Sequence, residues 1–372
     1  MAEKSAKASG VKRVNLALQG GGSFGAFTWG ALDRLLEDER IEIAAISGTS
    51  AGAMNAVALT EGMMRGGREG ARTCLRSFWN GIADASRSPF IGATALQNFL
   101  GTWGLDMAPM THWLDMMTRA VSPYDFNPLN WNPLRDLIDE LVDFDKVQKY
   151  EPIKVFISAT NVHTGRVRVF QRHELTPDHV MASACLPYLF QAVVIDGVPY
   201  WDGGYMGNPS LWPLFEFSDT DDTILIQINP LERNTTPRSA REIMDRVNEI
   251  TFNASLLREL RAVDFVNRLR DDGRLEGTDY RRVLMHIIED KDRIEFDQAS
   301  KMRLNEQSLR LLFDGGRASA DAWLSENFDC IGNASTINLR KLFLGEADGL
   351  DGERIQHKTH KPAPSKASGA DR

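Results

Sequence analysis

The chain has 372 residues, 42% of them hydrophobic, 25% charged and 9% aromatic, a balance that excludes a wholly disordered, collagenous or coiled-coil protein and leaves room for one large or two ordinary domains. The net charge of −8 is uneven: residues 1–13 carry +3 and residues 351–372 carry +2, which leaves −13 between them, a poor match for a phosphate backbone that argues against nucleic acid as a partner. No apolar run approaches the ~18 residues of a membrane span, the basic start lacks the apolar stretch of a secretory signal, and Cys74, Cys185 and Cys330, widely spaced and without CxxC, read as reduced thiols of a cytoplasmic protein.

In chain order, residues 1–12 read as a polar tail. Val14, Leu16 and Leu18 then alternate as a strand that runs into Gly20-Gly21-Gly22-Ser23-Phe24-Gly25. A helix carrying Phe27, Ala31, Leu32, Leu35 and Leu36 on one face ends near Arg40. Ile41 to Ile46 is a second strand, followed by Ser47-Gly48-Thr49-Ser50-Ala51-Gly52 and a helix over Ala51 to Leu59. This alternation of strand, turn and helix is the pattern of an α/β sheet. Residues 89–118 contain no Lys or Arg and are rich in Trp and Met; they fit either buried helices or a cap that meets acyl chains or a lipid surface. Asn127-Pro128-Leu129 and Asn132-Pro133-Leu134 form a short repeat whose prolines can start helices.

Further strands are expected at Ile153 to Thr160, Arg166 to Phe170, Ala192 to Ile195 and Val198 to Trp201, the last two joined by an Asp196-Gly197 hairpin turn. Thr223 to Ile228 and Val283 to Ile288 complete the set. A long helix spans about Pro237 to Asp271, with Thr236 as a candidate N-cap and Ser239 with Glu242 as a capping box one turn later. Helices over about Gln298 to Phe313 and Ala318 to Asn327 follow, and residues 351–372 read as a second tail.

Three motifs carry chemistry. Gly48-Thr49-Ser50-Ala51-Gly52 is a GxSxG between a strand and a helix, the pattern of a nucleophile elbow, where small neighbours let the serine occupy a tight turn and the helix N-terminus favours negative charge beside it. Gly20 to Gly25 leaves backbone N–H groups free to face an anion. As an oxyanion hole it would serve Ser50; as GxGxxG it would bind a dinucleotide, but that reading also requires an acidic residue about 20 positions on, where Ala44-Ala45-Ile46 stands. Trp201-Asp202-Gly203-Gly204-Tyr205 puts an aspartate at a strand end, and with the other two motifs it supplies the base a serine nucleophile needs. His286 lies downstream in the order an α/β-hydrolase triad requires, but inside an apolar strand, where a structural histidine is expected. His112, His163, His173 and His179 have no metal-like spacing, and the acidic clusters around Asp136–Asp145 and Glu289–Asp292 lack a calcium-loop pattern.

These motifs, in this order, resemble the patatin-like phospholipase family, together with Ala159-Thr160-Asn161 and Ser183-Ala184-Cys185-Leu186-Pro187; the likeness covers roughly residues 13–230. It implies an α/β fold: a three-layer α/β/α sandwich with a central, mostly parallel sheet, a cap insertion at about 80–150, and a C-terminal extension at 231–350 packed on the catalytic domain. It also implies a Ser–Asp dyad. Ser50 is then the nucleophile and Asp202 the general base, with Gly20, Gly21, Gly22 and Ser23 as the oxyanion hole, Gly48, Thr49, Ala51 and Gly52 as the elbow, and Gly203 and Gly204 as the aspartate turn. The expected substrate is a lipid carboxylic ester, most readily a phospholipid or lysophospholipid, with no metal and no cofactor. Other hydrophobic esters, and a non-catalytic lipid- or nucleotide-binding role for the glycine loop, are the alternatives. Contact with a lipid surface and self-association are left open as partners.

Overall fold

The computed structural model describes residues 10–86, 122–233, 235–290 and 306–344. The Trp- and Met-rich stretch expected as a cap, with His112, lies outside these residues, as do most of both tails. Lys12 does not belong to the first tail: it opens strand β1 (Lys12–Leu18), and its Nζ donates to the carbonyls of Phe328 at 3.1 Å and Ile331 at 2.8 Å.

From β1 the chain passes through a 3-10 turn (Gly22–Phe24) into helix α1 (Gly25–Glu37), then β2 (Ile41–Gly48) and helix α2 (Ala51–Ser86). Helix α2 extends far beyond Leu59 but is broken at Gly66 and Gly67, whose backbone leaves the helical region. Asn132 caps α3 (Pro133–Leu141) with Pro133 at its first position, as the second Asn-Pro-Leu triplet predicts; Asn127 of the first triplet instead ends a short helical turn. Strands β3 (Lys154–Asn161) and β4 (Val167–Gln171), helix α4 (Pro177–Ser183), the hairpin β5 (Val193–Ile195) and β6 (Val198–Asp202), helix α5 (Trp212–Phe217) and β7 (Asp222–Gln227) follow. Helix α6 (Ala240–Asp271), strand β8 (Leu284–Glu289) and helix α7 (Glu306–Asn327) complete the core. Helix α6 starts at Ser239 rather than Thr236. There Ser239 Oγ accepts from the Glu242 amide at 3.2 Å and Glu242 returns a contact to the Ser239 amide at 3.0 Å, so two otherwise orphaned donors are satisfied together.

One sheet of order β5-β6-β3-β2-β1-β7-β8, with β4 also paired to β3, organises the molecule. β2, β1, β7 and β8 run parallel, as do β2 and β3; β4, β5 and β6 pair antiparallel. The expected mostly parallel α/β sheet with helices on both faces is the observed fold. Strand alternation separates the faces. Leu16, Leu18, Ile157, Ile224 and Ile226 join α1, α2 and α7 in one core, whereas Ala17, Phe156, Leu225, Met285 and Ile287 meet Leu214 of α5 and Leu256, Leu260 and Val263 of α6 in the other. Residues beyond 230 therefore supply a strand of the same sheet and a helix on each face.

Helix α7 runs unbroken through Gly315 and Gly316, where the sequence suggests a division. The reason is its crossing with α1. A Cβ on Gly316 would stand 2.0 Å from the Phe27 carbonyl oxygen, and one on Gly30 would stand 1.9 Å from that of Phe313. Glycine is used here for backbone-to-backbone packing, not for a turn.

The register around β3 decides where the site forms. β4 pairs with Phe156–Thr160, so β2 (opposite Lys154–Ile157) and β6 (opposite Ala159–Asn161) must share the other edge. β2 is parallel and β6 antiparallel to β3, so their C-terminal ends meet head-on along that edge. Gly48 faces Ile157, and Asp202 faces Ala159 two residues further on.

Candidate active site

Ser50 follows β2 directly and precedes α2, which forces its backbone into the left-handed region at φ 55°, a conformation rare for a residue with a side chain and characteristic of a tight strand-to-helix turn. The turn is held from several directions. The Ser50 amide donates to Ser183 Oγ at 2.9 Å, Thr49 Oγ1 donates to the Gly207 carbonyl at 2.7 Å, and Ser47 Oγ donates to the Ser210 carbonyl at 2.5 Å. A Cβ on Gly20 would lie 2.7 Å from Ser50 Cβ, so only glycine lets the first loop approach the serine this closely.

Asp202 ends β6. Its amide donates to the Cys185 carbonyl at 2.8 Å, its carbonyl accepts from Thr160 Oγ1 at 2.8 Å, and its Oδ1 accepts from the Gly204 amide at 2.7 Å. Gly203 sits where a Cβ would strike the Ser158 carbonyl oxygen at 2.1 Å and approach Thr49 Cγ2 at 3.0 Å. The aspartate turn is thus packed against the serine turn. Ser50 and Asp202 are both fully buried, and Ser50 Oγ and Asp202 Oδ2 have no partner at hydrogen-bond geometry among the described residues. Burial pushes the Asp202 carboxyl up to about 7; the Gly204 amide and the nearby Ser50 hydroxyl oppose that rise. The two side chains are therefore close enough to influence one another while their facing oxygens stay unsatisfied, the condition in which a buried polar atom is most costly and most available for chemistry.

The glycine loop is fixed by buried amides. Gln19 Oε1 accepts from the amides of Ile228 and Asn229, each at 2.9 Å, and its Nε2 donates to Asn253 Oδ1 at 3.2 Å. Asn229 Nδ2 donates to the Gly20 carbonyl at 2.7 Å, and the Gly20 amide donates to Asn208 Oδ1 at 2.7 Å. The Gly20 N–H is therefore committed to the scaffold. The amides of Gly21 and Gly22, the latter at φ 56°, have no hydrogen-bond partner among the described residues and lead into the N-terminus of α1. Ser23 is buried in the 3-10 turn that follows.

The structure brings together Gly20, Gly21, Gly22, Ser23, Gly48, Thr49, Ser50, Ala51, Gly52, Asp202, Gly203 and Gly204. Sequence reasoning misses Gln19, Asn208, Asn229 and Asn253; its only available signal is that Asn208 and Asn229 each stand before a proline just past a motif or strand end. His286 is elsewhere. It lies on β8, three strands from β2, with Nε2 3.0 Å from Asp222 Oδ1 and Nδ1 3.3 Å from Thr336 Oγ1, a structural role. No group of three His, Cys, Asp or Glu side chains suited to a metal occurs among the described residues, and among them no helix is long and apolar enough to cross a membrane.

A family model described as patatin-like phospholipase matches residues 16–215, a span that holds both turns. Among solved structures, VipD from Legionella pneumophila is similar at 14% identity over 85% of this chain and 67% of that one, with a TM-score of 0.40. The type III effector protein ExoU is similar at 11% identity over 85% of this chain and 53% of its own, with a TM-score of 0.30; this chain thus spans about half of ExoU. No curated protein matches the chain.

Proposed function

Because the chain belongs to the patatin-like phospholipase family, and is with it a lipid acyl hydrolase acting on ester bonds, we propose that it cleaves carboxylic esters of phospholipids or lysophospholipids through a dyad of Ser50 and Asp202. One observation carries this reading: the fully buried Ser50 hydroxyl, on a strained turn, lies near enough to the fully buried Asp202 carboxyl to oppose its upward shift, and neither Ser50 Oγ nor Asp202 Oδ2 is taken up by any other group among the described residues. Ser50 Oγ attacks the ester carbonyl carbon and its proton passes to Asp202 Oδ2. The oxyanion is held by the Gly21 and Gly22 amides; losing one such donor typically costs about 3–4 kcal/mol in the transition state. Collapse expels the alcohol, which takes the proton from Asp202. Water, deprotonated by the same carboxylate, then releases the fatty acid from the acyl-serine. Asp202 Oδ1 stays on the Gly204 amide throughout, which leaves Oδ2 as the working oxygen.

A fluorophosphonate probe is expected to label wild-type protein and not Ser50→Ala. Phospholipid incubated with wild type is expected to release free fatty acid, with turnover lost in both Ser50→Ala and Asp202→Asn. A folded wild-type protein that resists the probe would overturn the proposal. Release of hydroxyacid from a polyester, without release of fatty acid from phospholipid, would replace the substrate class but keep the dyad.

A further inference from the structure

A backbone amide is aimed by the carbonyl of its own peptide unit, because the two point in opposite directions across a planar trans bond. For the Gly21–Gly22 peptide that carbonyl is held locally: Gly21 O accepts from the Phe24 amide at 3.2 Å as the 3-10 turn begins. The preceding Gly20–Gly21 peptide has no such local tie. It is trans and lies between two glycines, where rotation of the whole unit meets no Cβ. A half-turn would put a carbonyl oxygen where the Gly21 N–H now stands.

What holds this peptide comes from 209 residues away. Asn229 Nδ2 donates to the Gly20 carbonyl at 2.7 Å, and Asn208 Nδ2 adds a longer contact at 3.4 Å. A carbonyl only accepts, so the Asn229 amide must present its nitrogen here. The Gly21 N–H, antiparallel to that carbonyl, faces away from Asn229. Asn229 is itself held in place: it is 1% exposed, its amide donates to Gln19 Oε1 at 2.9 Å, and its carbonyl accepts from Gln227 Nε2 at 3.2 Å. It stands two residues past β7 and outside residues 16–215, so the tie comes from a part of the chain beyond the family match.

We propose that Asn229 is a positioning residue for the oxyanion hole: its side chain locks the Gly20–Gly21 peptide with the Gly21 N–H turned toward the acyl oxygen at Ser50. This rests on the hydrolase reading above, which makes Gly21 a donor. Asn229 acts only through the peptide it holds and touches no substrate.

The test uses the full chain and a soluble butyryl ester, with an alkyl trifluoromethyl ketone as a reversible mimic of the tetrahedral intermediate. Asn229→Ala removes the donor, and Asn229→Asp keeps the shape of the side chain but offers the carbonyl no N–H. Per folded molecule, each is expected to lower kcat at least tenfold, toward the ~10²–10³ that losing an oxyanion donor costs. KM should stay within threefold of wild type, and the ketone should inhibit at least tenfold less well. His286→Ala, a change on strand β8 away from the loop, should leave kcat and ketone inhibition as in wild type. Unchanged kcat and ketone inhibition in a folded Asn229 variant, or a rise in KM alone, overturns the proposal.

A crystal structure of wild-type protein phosphonylated at Ser50 decides the matter even where no variant folds. A phosphonyl oxygen within hydrogen-bond distance of Gly21 N, with the Gly20 carbonyl still on Asn229 Nδ2, supports the lock; a Gly20–Gly21 peptide turned the other way, or freed from Asn229, overturns it. Wild-type protein that neither reacts with fluorophosphonate nor cleaves any ester removes the hydrolase reading and this inference with it. A labelled, active wild type whose folded Asn229 variants match it removes the inference alone.

Discussion

With its carboxyl pushed up to about 7 by burial, Asp202 is about half ionised at neutral pH, and a general base works only as the carboxylate. We therefore expect kcat/KM on a soluble short-chain ester to rise with pH through about 7 and to level above it; a profile flat between about pH 5 and 9 would remove Asp202 from the proton path. The same shift has the opposite sense for stability. Below the ordinary value of 3.8 the carboxyl is neutral whether the chain is folded or not. Between 3.8 and about 7 only the unfolded chain ionises, so the fold loses stability as pH rises, up to roughly 4 kcal/mol, and the loss levels above about 7. Asp202→Asn should escape this loss, and its advantage over wild type in urea unfolding should grow from about pH 4 to 7. His286→Ala, remote from Ser50, should keep wild-type turnover per folded molecule while costing about 1–3 kcal/mol, because buried Asp222 loses one of the two partners of its Oδ1 and keeps only the Gly332 amide; loss of turnover in a well-folded variant would bring the histidine back into the mechanism. Ser50 and Asp202 are legible in the sequence because each stands in a short motif whose glycines permit the close approaches around it. Asn208, Asn229 and Asn253 are not, because their partners in the glycine loop lie 188, 209 and 234 residues away, and no local spacing encodes such contacts.

Among the elements, strands are readable to within a residue or two because each is an apolar run bounded by turn residues, whereas helix interiors and ends depend on partners. The Ser239 capping box decides the start of α6 over the equally plausible Thr236-Pro237, since it satisfies two backbone donors at once. Gly315-Gly316 looks like a helix break until α1 is laid across it. That crossing makes a specific prediction. Gly30→Ala and Gly316→Ala each put a methyl within 2.0 Å of a carbonyl oxygen on the opposing helix, so the helices must separate. Each variant should lose about 1–3 kcal/mol or more, read as a fall in Tm; Gly67→Ala, with nothing within 4 Å of its Cβ but φ +61° and ψ −146°, should lose about 1–3 kcal/mol from backbone strain alone, without any displacement of packed helices. Equal stability of the Gly30→Ala variant and wild type would show that the two helices are looser than their contacts imply.

For the whole molecule, the α/β layering follows from the strand–helix alternation, but the share taken by residues beyond 230 does not. They complete the sheet with β8, cover one face with α6 and the other with α7, and send Asn253 to Gln19 beside the glycine loop. A chain ended at residue 230 would expose β7 as an edge and uncover α1, and we expect it to aggregate or to lack a cooperative unfolding transition by circular dichroism; a soluble, cooperatively folding fragment would make those residues an independent annex. The head-on meeting of β2 and β6 along β3 has one further effect. Gly48, two residues before Ser50, and Asp202 are spaced by two residues of a third strand, ~6.6 Å of extended backbone, so β3 acts as a ruler graduated in whole residues between the two turns. The separation of the two strand ends can change only by steps of one residue, each of which would also turn the strand's faces over, so the sheet itself fixes how far apart the serine and aspartate turns begin.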